Sequence, residues 1–389
     1  MSEHARYRQR LIRLGADALA ATVARVAGER GWTEPGTEAR RTYARFEPAR
    51  SPWATLLYAL GRTYVEVAAY DPGAGALPAD VVVDDAGPLR FTKVEDDAGA
   101  ASPGAFLRAH PDAVIIRYRP GRRCVLRVGD RFVKLVRPEL GIHLHATGTR
   151  LWDARRAGRL PFRVAEPDRW DAAANALWQG VVAGEPIGPA LNTAQAEAVA
   201  QHVGMALGAL AVARVEPWQR SSGAEQWART ERAAAEVVRR VPELRDDLAD
   251  VLARLGGLYD GFVPRPPVPV HGAASPDQWL DDGSTLGLVD FDRFSWGDPE
   301  QDAAAFLGVL DFDSELRRSL VGIEAALRAG FREAGFALDE RRSATYRVGA
   351  RLRKVARTAM AVRPDGDERA SRHLGAVVEA LEMAEQTVG

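Results

Sequence analysis

Residues 270–306 read VHGAASPDQWLDDGSTLGLVDFDRFSWGDPEQDAAAF. Three polar stations punctuate this run: His271-Gly272 after the apolar Val268-Pro269-Val270, then Gln278, then Asp290-Phe291-Asp292 behind the β-like Leu286-Gly287-Leu288-Val289. On a strand terminus residues i and i+2 point the same way, so Asp290 and Asp292 are expected to converge on one divalent cation unless they form an ordinary turn. Gln278 offers the same ion a neutral carbonyl oxygen. Between these stations Ala273 is chemically blank. Farther on, Gly297-Asp298-Pro299 reads as a helix start, with Asp298 at the N-cap, Pro299 at the first helical position and Asp302 in the first turn. Both aspartates therefore read as structural, and so does His271, expected to hold its loop through a hydrogen bond.

Upstream of this stretch the pattern divides in two. A helical period from Tyr7 through Val26 predicts a helix over about residues 3 to 30. Strands are predicted near Tyr43–Phe46, Ala54–Leu60, Tyr64–Tyr70, Ala113–Tyr118, Cys124–Val128 and Arg131–Val136. A helix over Leu144–Ala157, a short strand at Phe162–Val164 and a strand running toward Gly184 follow. From Thr193 helices are predicted near 193–213, 223–239, 243–257, 300–310, 313–335, 338–360 and 367–386. A β-rich first part followed by a helical second part makes an α+β protein with two lobes. Two pieces of the β-rich part look alike. Arg45-Phe46-Glu47-Pro48 with its following strands parallels Arg117-Tyr118-Arg119-Pro120 with its own, which is either hairpin similarity or an internal duplication. In that pairing Glu66 falls opposite Lys134.

Composition excludes several classes. The 389 residues, 46% hydrophobic and 27% charged, suffice for large cores, and a net charge of −1 gives no whole-chain footprint for nucleic acid. The single cysteine, Cys124, rules out an internal disulfide and a cysteine-based zinc cluster and reads as a buried thiol. The N-terminal MSEHARYRQRLIRLG lacks an apolar signal core, and no run approaches the ~20 apolar residues that span a bilayer. The expectation is a cytoplasmic protein without nucleic-acid or membrane partners.

Other candidates for chemistry are sparser. Lys134 alternates with Phe132 and Val136, so its ammonium either faces solvent or leaves an apolar sheet to meet an anion. Pro120-Gly121-Arg122-Arg123 is either a solvated hairpin tip or a turn that closes over phosphate oxygens. Arg351, Arg353 and Lys354 form a basic cluster on a late helix, either a solvated face or a contact for an acidic substrate. His143 and His145 lie on different faces of one predicted helix, and no HExxH pattern supports zinc.

Together HGAASPDQW, LVDFDR and GDPEQDAAAF resemble the aminoglycoside phosphotransferase family, relatives of choline and other small-molecule kinases with a protein-kinase-like fold. The resemblance covers roughly residues 110 to 360 and implies an ATP site between a β-rich N-lobe and a helical C-lobe. By that resemblance, residues 1–105 are a helix and a β-rich extension of the N-lobe, 106–182 the kinase-like N-lobe ending at a hinge, and 183–389 the helical C-lobe. Lys134 looks like the lysine that pairs ATP phosphates, with Arg122 beside it, and Trp178–Gly184 like the hinge that meets adenine. Asp290 looks like the metal-binding aspartate, Asp292 stands beside it, and Gln278 takes the place of the second magnesium ligand, usually asparagine. An acidic helix residue is expected to pair with Lys134, yet from Gly141 to Gly158 the only acid is Asp153.

The departure is Ala273, which falls where the family has its catalytic aspartate. A methyl group neither orients an acceptor hydroxyl nor takes its proton. Asp277, along the same loop, and Asp292 are substitute bases to consider. The expectation is thus an ATP- and magnesium-dependent phosphotransferase acting on a hydroxyl of a small molecule or natural-product peptide. The alternative is a pseudokinase that keeps a nucleotide or substrate cleft as a scaffold. The acceptor pocket is expected within residues 193–260 and 310–360.

Overall fold

The computed structural model describes residues 14, 19–46, 51–71, 77–78, 80–84, 87–96, 103–119, 123–313, 316, 319–362 and 365–388. The expected first helix is described over α1 (Ala20–Glu29), whose Val23, Val26 and Ala27 are buried; its earlier part lies largely outside the described residues. Two five-stranded antiparallel sheets follow. The first joins β1 (Arg40–Phe46), β2 (Ala54–Leu60), β3 (Thr63–Ala69), β4 (Val81–Asp84) and β5 (Gly87–Lys93) in the order β1-β2-β3-β5-β4. After the short α2 (Gly104–Ala109) come β6 (Val114–Arg119), β7 (Arg123–Val128) and β8 (Arg131–Leu135). α3 (Pro138–Arg156) then leads to β9 (Pro167–Asp171) and β10 (Ala176–Gly180). The second sheet has the order β6-β7-β8-β10-β9, the same pattern as the first.

Alternation decides the faces of the second sheet. Cys124, Leu126, Val133 and Leu135 are buried with Tyr118 and Trp178, and Leu57, Ala59 and Tyr64 of the first sheet join them in one core. Lys134 lies on the other face, directly opposite Val125 on one side and Leu177 on the other. Cys124 is fully buried, as its pattern predicts.

The second half is helical: α4 (Ala196–Val212), α5 (Gly223–Arg240), α6 (Arg245–Asp260), α7 (Glu300–Leu310), α8 (Leu320–Glu333), α9 (Glu340–Ala359) and α10 (Gly366–Val388). α5 starts at a capping box in which Ser222 and Glu225 satisfy each other's backbone N–H groups. Short strands interrupt the helices and carry the polar stations. β11 (Glu185–Pro186) pairs β14 (Trp279–Asp281), which pairs β15 (Leu286–Leu288). β16 (Ser295–Gly297) lies between β12 (Gln219–Ser221) and β13 (Val268–Val270). The fold is thus α+β and bilobal, sheets first and helices second.

Two local expectations are corrected. Phe162–Val164 forms no strand; Arg163 makes a lone parallel bridge to Gly287. Asp298 does not cap the helix at 300, because Arg265 (3.1 Å), Arg342 (2.6 Å) and the Tyr346 hydroxyl (2.6 Å) all donate to its carboxylate. A stronger set of charged donors outcompetes the cap.

Candidate active site

The loop after β13 is held from below by α7. Asp302, buried in the first turn of that helix, accepts the backbone N–H groups of His271 at 2.7 Å and Gly272 at 2.8 Å. Burial pushes its carboxyl up to about 7, against the pull of these donors and of Ala274 N–H. His271 in turn reaches the Val289 carbonyl with Nε2 at 3.0 Å, tying the loop to the end of β15. Burial pushes its imidazole down to about 4, so it stays neutral and donates from that nitrogen. His271 is structural, as its sequence setting implies.

Asp290 and Asp292 do converge, though not by strand geometry. Asp290 takes a left-handed conformation with φ 67°, and Phe291–Arg293 is a 3-10 turn. This turn aims both carboxylates at the second sheet. Lys134 Nζ meets Asp290 Oδ1 at 2.7 Å and Asp292 Oδ1 at 2.6 Å. Arg123 Nη1 meets Asp292 Oδ2 at 2.5 Å and Asp290 Oδ1 at 3.3 Å. Burial alone would raise the carboxyl of Asp290, but the cations Lys134 and Arg123 outweigh it and hold it well below the usual range. For Lys134 burial favours loss of the proton, and the two carboxylates reverse that. The result is two cations locked against two anions.

Arg123 belongs to the Pro120-Gly121-Arg122-Arg123 turn considered from sequence as a phosphate contact, whereas Arg122 lies outside the described residues. No acidic partner reaches Lys134 from α3 among the described residues. Asp153 is exposed, and His145 and Gly148 present themselves to the cavity beside Lys134 instead. Trp178 stands directly opposite Val133, so its indole lies on the face away from Lys134, near Phe106 (5.8 Å between ring centres) and His110 (5.5 Å). Leu177 is the residue on the cleft face.

Two cavities meet at Asp290 and Asp292. One, of about 50 Å³, is bounded by Lys134, Leu151, Val164, Leu177 and Gln179. It is far smaller than the roughly 300–1,000 Å³ of ordinary ligand pockets. The other, of about 770 Å³, brings together Ala273, Asp277, Gln278, Asp290 and Asp292. Asp277 there accepts from the Ser275 hydroxyl and from Gln278 Nε2 at 3.0 Å. The same cavity is lined by Arg117, Arg119, Arg293, Lys354 and Arg357. Of these only Lys354 was singled out from sequence as a candidate; Lys354 and Arg357 share a face at i, i+3, a signal the sequence carried.

Among known proteins, residues 163–344 match the model of the phosphotransferase enzyme family, APH. No curated protein matches the chain. Among solved structures, a choline/ethanolamine kinase family protein from Mesorhizobium loti is 17% identical, over 68% of this chain and 92% of that one, with a TM-score of 0.45. The aminoglycoside phosphotransferase APH(3'')-Id from Streptomyces rimosus, in complex with ADP and streptomycin, is 19% identical, over 64% and 98%, with a TM-score of 0.47. Choline kinase LicA from Streptococcus pneumoniae is 11% identical, over 68% and 92%, with a TM-score of 0.46. The family match includes the His271–Asp302 clamp and the Asp290 turn, though not Lys134. On that stretch, and on its two-lobed architecture, the chain resembles the aminoglycoside phosphotransferase family of protein-kinase-like fold.

Proposed function

We propose that this chain is a phosphotransferase that moves the γ-phosphoryl group of ATP, with magnesium, to a hydroxyl of a small molecule or natural-product peptide. One observation carries the reading. A buried lysine and a left-handed aspartate 156 residues apart in sequence meet where the sheet and the helices face each other. A structural ion pair needs no left-handed backbone, whereas a site that presents carboxylates to a ligand does gain from it.

In this reading Lys134 holds phosphate oxygens, and the backbone from Trp178 to Gly184 meets adenine. Two carboxylates and an amide oxygen, from Asp290, Asp292 and Gln278, suit magnesium, which takes one or two protein carboxylates and fills the rest of its shell with phosphate and water. When bound there, the ion would neutralise charge on the β- and γ-phosphates. Lys134 and Arg123 release the carboxylates as phosphate oxygens take their place, which opens the small cavity. The acceptor oxygen forms a bond to the γ-phosphorus as the bond to the bridging oxygen breaks. The diphosphate leaves with that electron pair, and the hydroxyl proton passes to Asp277 or to water. Asp277 borders the same cavity as Ala273 and stands in for the absent base.

Cys124, deep in the core, suits a reducing cytoplasm, and among the described residues no helix is long and apolar enough to cross a membrane. The test is turnover of the full chain with ATP, magnesium and a broad acceptor panel, beside an Asp290→Ala control. Transfer above the control supports the proposal. Nucleotide binding with no transfer above the control would favour the scaffold alternative.

A further inference from the structure

We infer that the acceptor is an anion, a hydroxylated molecule whose phosphate or carboxylate docks on Arg293, Lys354 and Arg357. This rests on the phosphotransferase reading and names its substrate class. The 770 Å³ cavity around Ala273 is bordered by six basic side chains against three acidic ones, in a chain whose net charge is −1. Two of those acids, Asp290 and Asp292, are already matched by Lys134 and Arg123. Only Asp277 is left to face Lys354 and Arg357.

The contrast within α9 is sharper. Arg347 and Arg351 are both tied to the buried Asp311. One turn farther along the helix Lys354 and Arg357 have no ion-pair partner among the described residues, nor does Arg293, which borders the same cavity. Arg353 stands behind them, pushed down to about 10 by burial and by the neighbouring cations Arg357, Arg229 and Arg293. Unpaired, partly desolvated cations crowding one another raise the free energy of the empty fold, and an arriving anion relieves it. A cleft lined this way also concentrates anions from solution.

The cations of this cavity come from two halves of the chain. Lys134 and Arg123 come from the second sheet, with Arg117 and Arg119 on one face of β6 at i, i+2. Arg293, Lys354 and Arg357 belong to the helical half and border the same cavity as Ala273. A polycation such as an aminoglycoside would meet repulsion there.

The test titrates the full chain, in the presence of ADP and magnesium, with inorganic phosphate, malonate and kanamycin by calorimetry. Phosphate or malonate is expected to bind in a salt-sensitive way, the two arms deciding which anion is preferred, and kanamycin is not. Arg357→Glu and Lys354→Glu are each expected to weaken anion binding at least tenfold while leaving ADP affinity unchanged. Arg357 is exposed, so its variant tests the wall even where Lys354→Glu fails to fold. Anions that fail to bind, that bind the variants equally, or a kanamycin site at this wall would overturn the inference. The ADP titration separates the two claims. Loss of ADP binding with the anion site intact sinks the phosphotransferase reading, and with it the acceptor role of an anion site that still exists; ADP binding without an anion site sinks only this inference.

Discussion

Ala273 presents a methyl group in the middle of a loop that is otherwise fully braced. Since a positioned general base contributes roughly 10²–10⁴-fold, Ala273→Asp should raise turnover by about that range. No gain, with the loop shown intact by melting, would mean that Asp277 or the acceptor already fills the role. His271 makes a prediction about pH. Its imidazole is held near 4 by burial, whereas an unfolded histidine titrates near 6.5. Its stabilisation is complete above 6.5 and is lost as pH falls toward 4, because the unfolded chain then binds the extra proton. Asp302 acts in the opposite sense: its carboxyl is raised to about 7, so its contribution is full below 3.8 and shrinks as pH rises. The two slopes oppose each other in the intact protein. The stability difference between wild type and His271→Gln isolates the histidine, and in urea melts it should grow from pH 4 to 6.5 by up to about 3 kcal/mol. A difference independent of pH would show that His271 is not held neutral. Some placements were legible: Asp290 and Asp292 were expected to converge and His271 to hold its loop through a hydrogen bond, and both are seen. Arg293 and Arg357 were not, because an arginine on a helix or turn looks solvated until the fold brings others to it.

At the scale of elements, the loop after β13 and the turn after β15 work as one unit. Gly272 has φ 77°, and a Cβ built there would lie 2.4 Å from the Arg293 carbonyl oxygen. Gly272→Ala should therefore destabilise the fold by about 1–3 kcal/mol through backbone strain, with more where the Asp290 turn is forced away. Urea melts read this directly, and an unchanged midpoint would show that the two loops are not in close contact. Helices α5, α6, α7 and α9 fall within a few residues of their predicted positions, because their apolar period is long. Of the two readings left open for Asp290 and Asp292 the turn holds, but its left-handed start was not legible, since strand alternation in β15 gives no warning of it. Asp298 was misread for a different reason. Its three donors come from Arg265, Arg342 and Tyr346, two of them on α9, and no local pattern shows them converging.

For the whole molecule, the two sheets share their strand order, and the lysine of one is matched by Glu66 in the other. That likeness was readable in sequence; how the first sheet is used was not. Tyr64 donates to the Ile115 carbonyl at 3.2 Å, joining the sheets, while Phe46 N–H donates to the Met360 carbonyl at 3.0 Å at the end of α9. Met360 and Val362 join the core of the first sheet. The N-terminal region therefore touches both the second sheet and the helical half, bridging the two sides of the cleft. The cleft between them is where the account stands or falls, through Lys134 and Asp290. Calorimetric titration of the full chain with ATP, with and without magnesium, tests it most directly. The account predicts one nucleotide site, strengthened by magnesium and weakened at least tenfold by Lys134→Ala and by Asp290→Ala. Absence of nucleotide binding by the folded wild type, or binding that neither substitution changes, would contradict it.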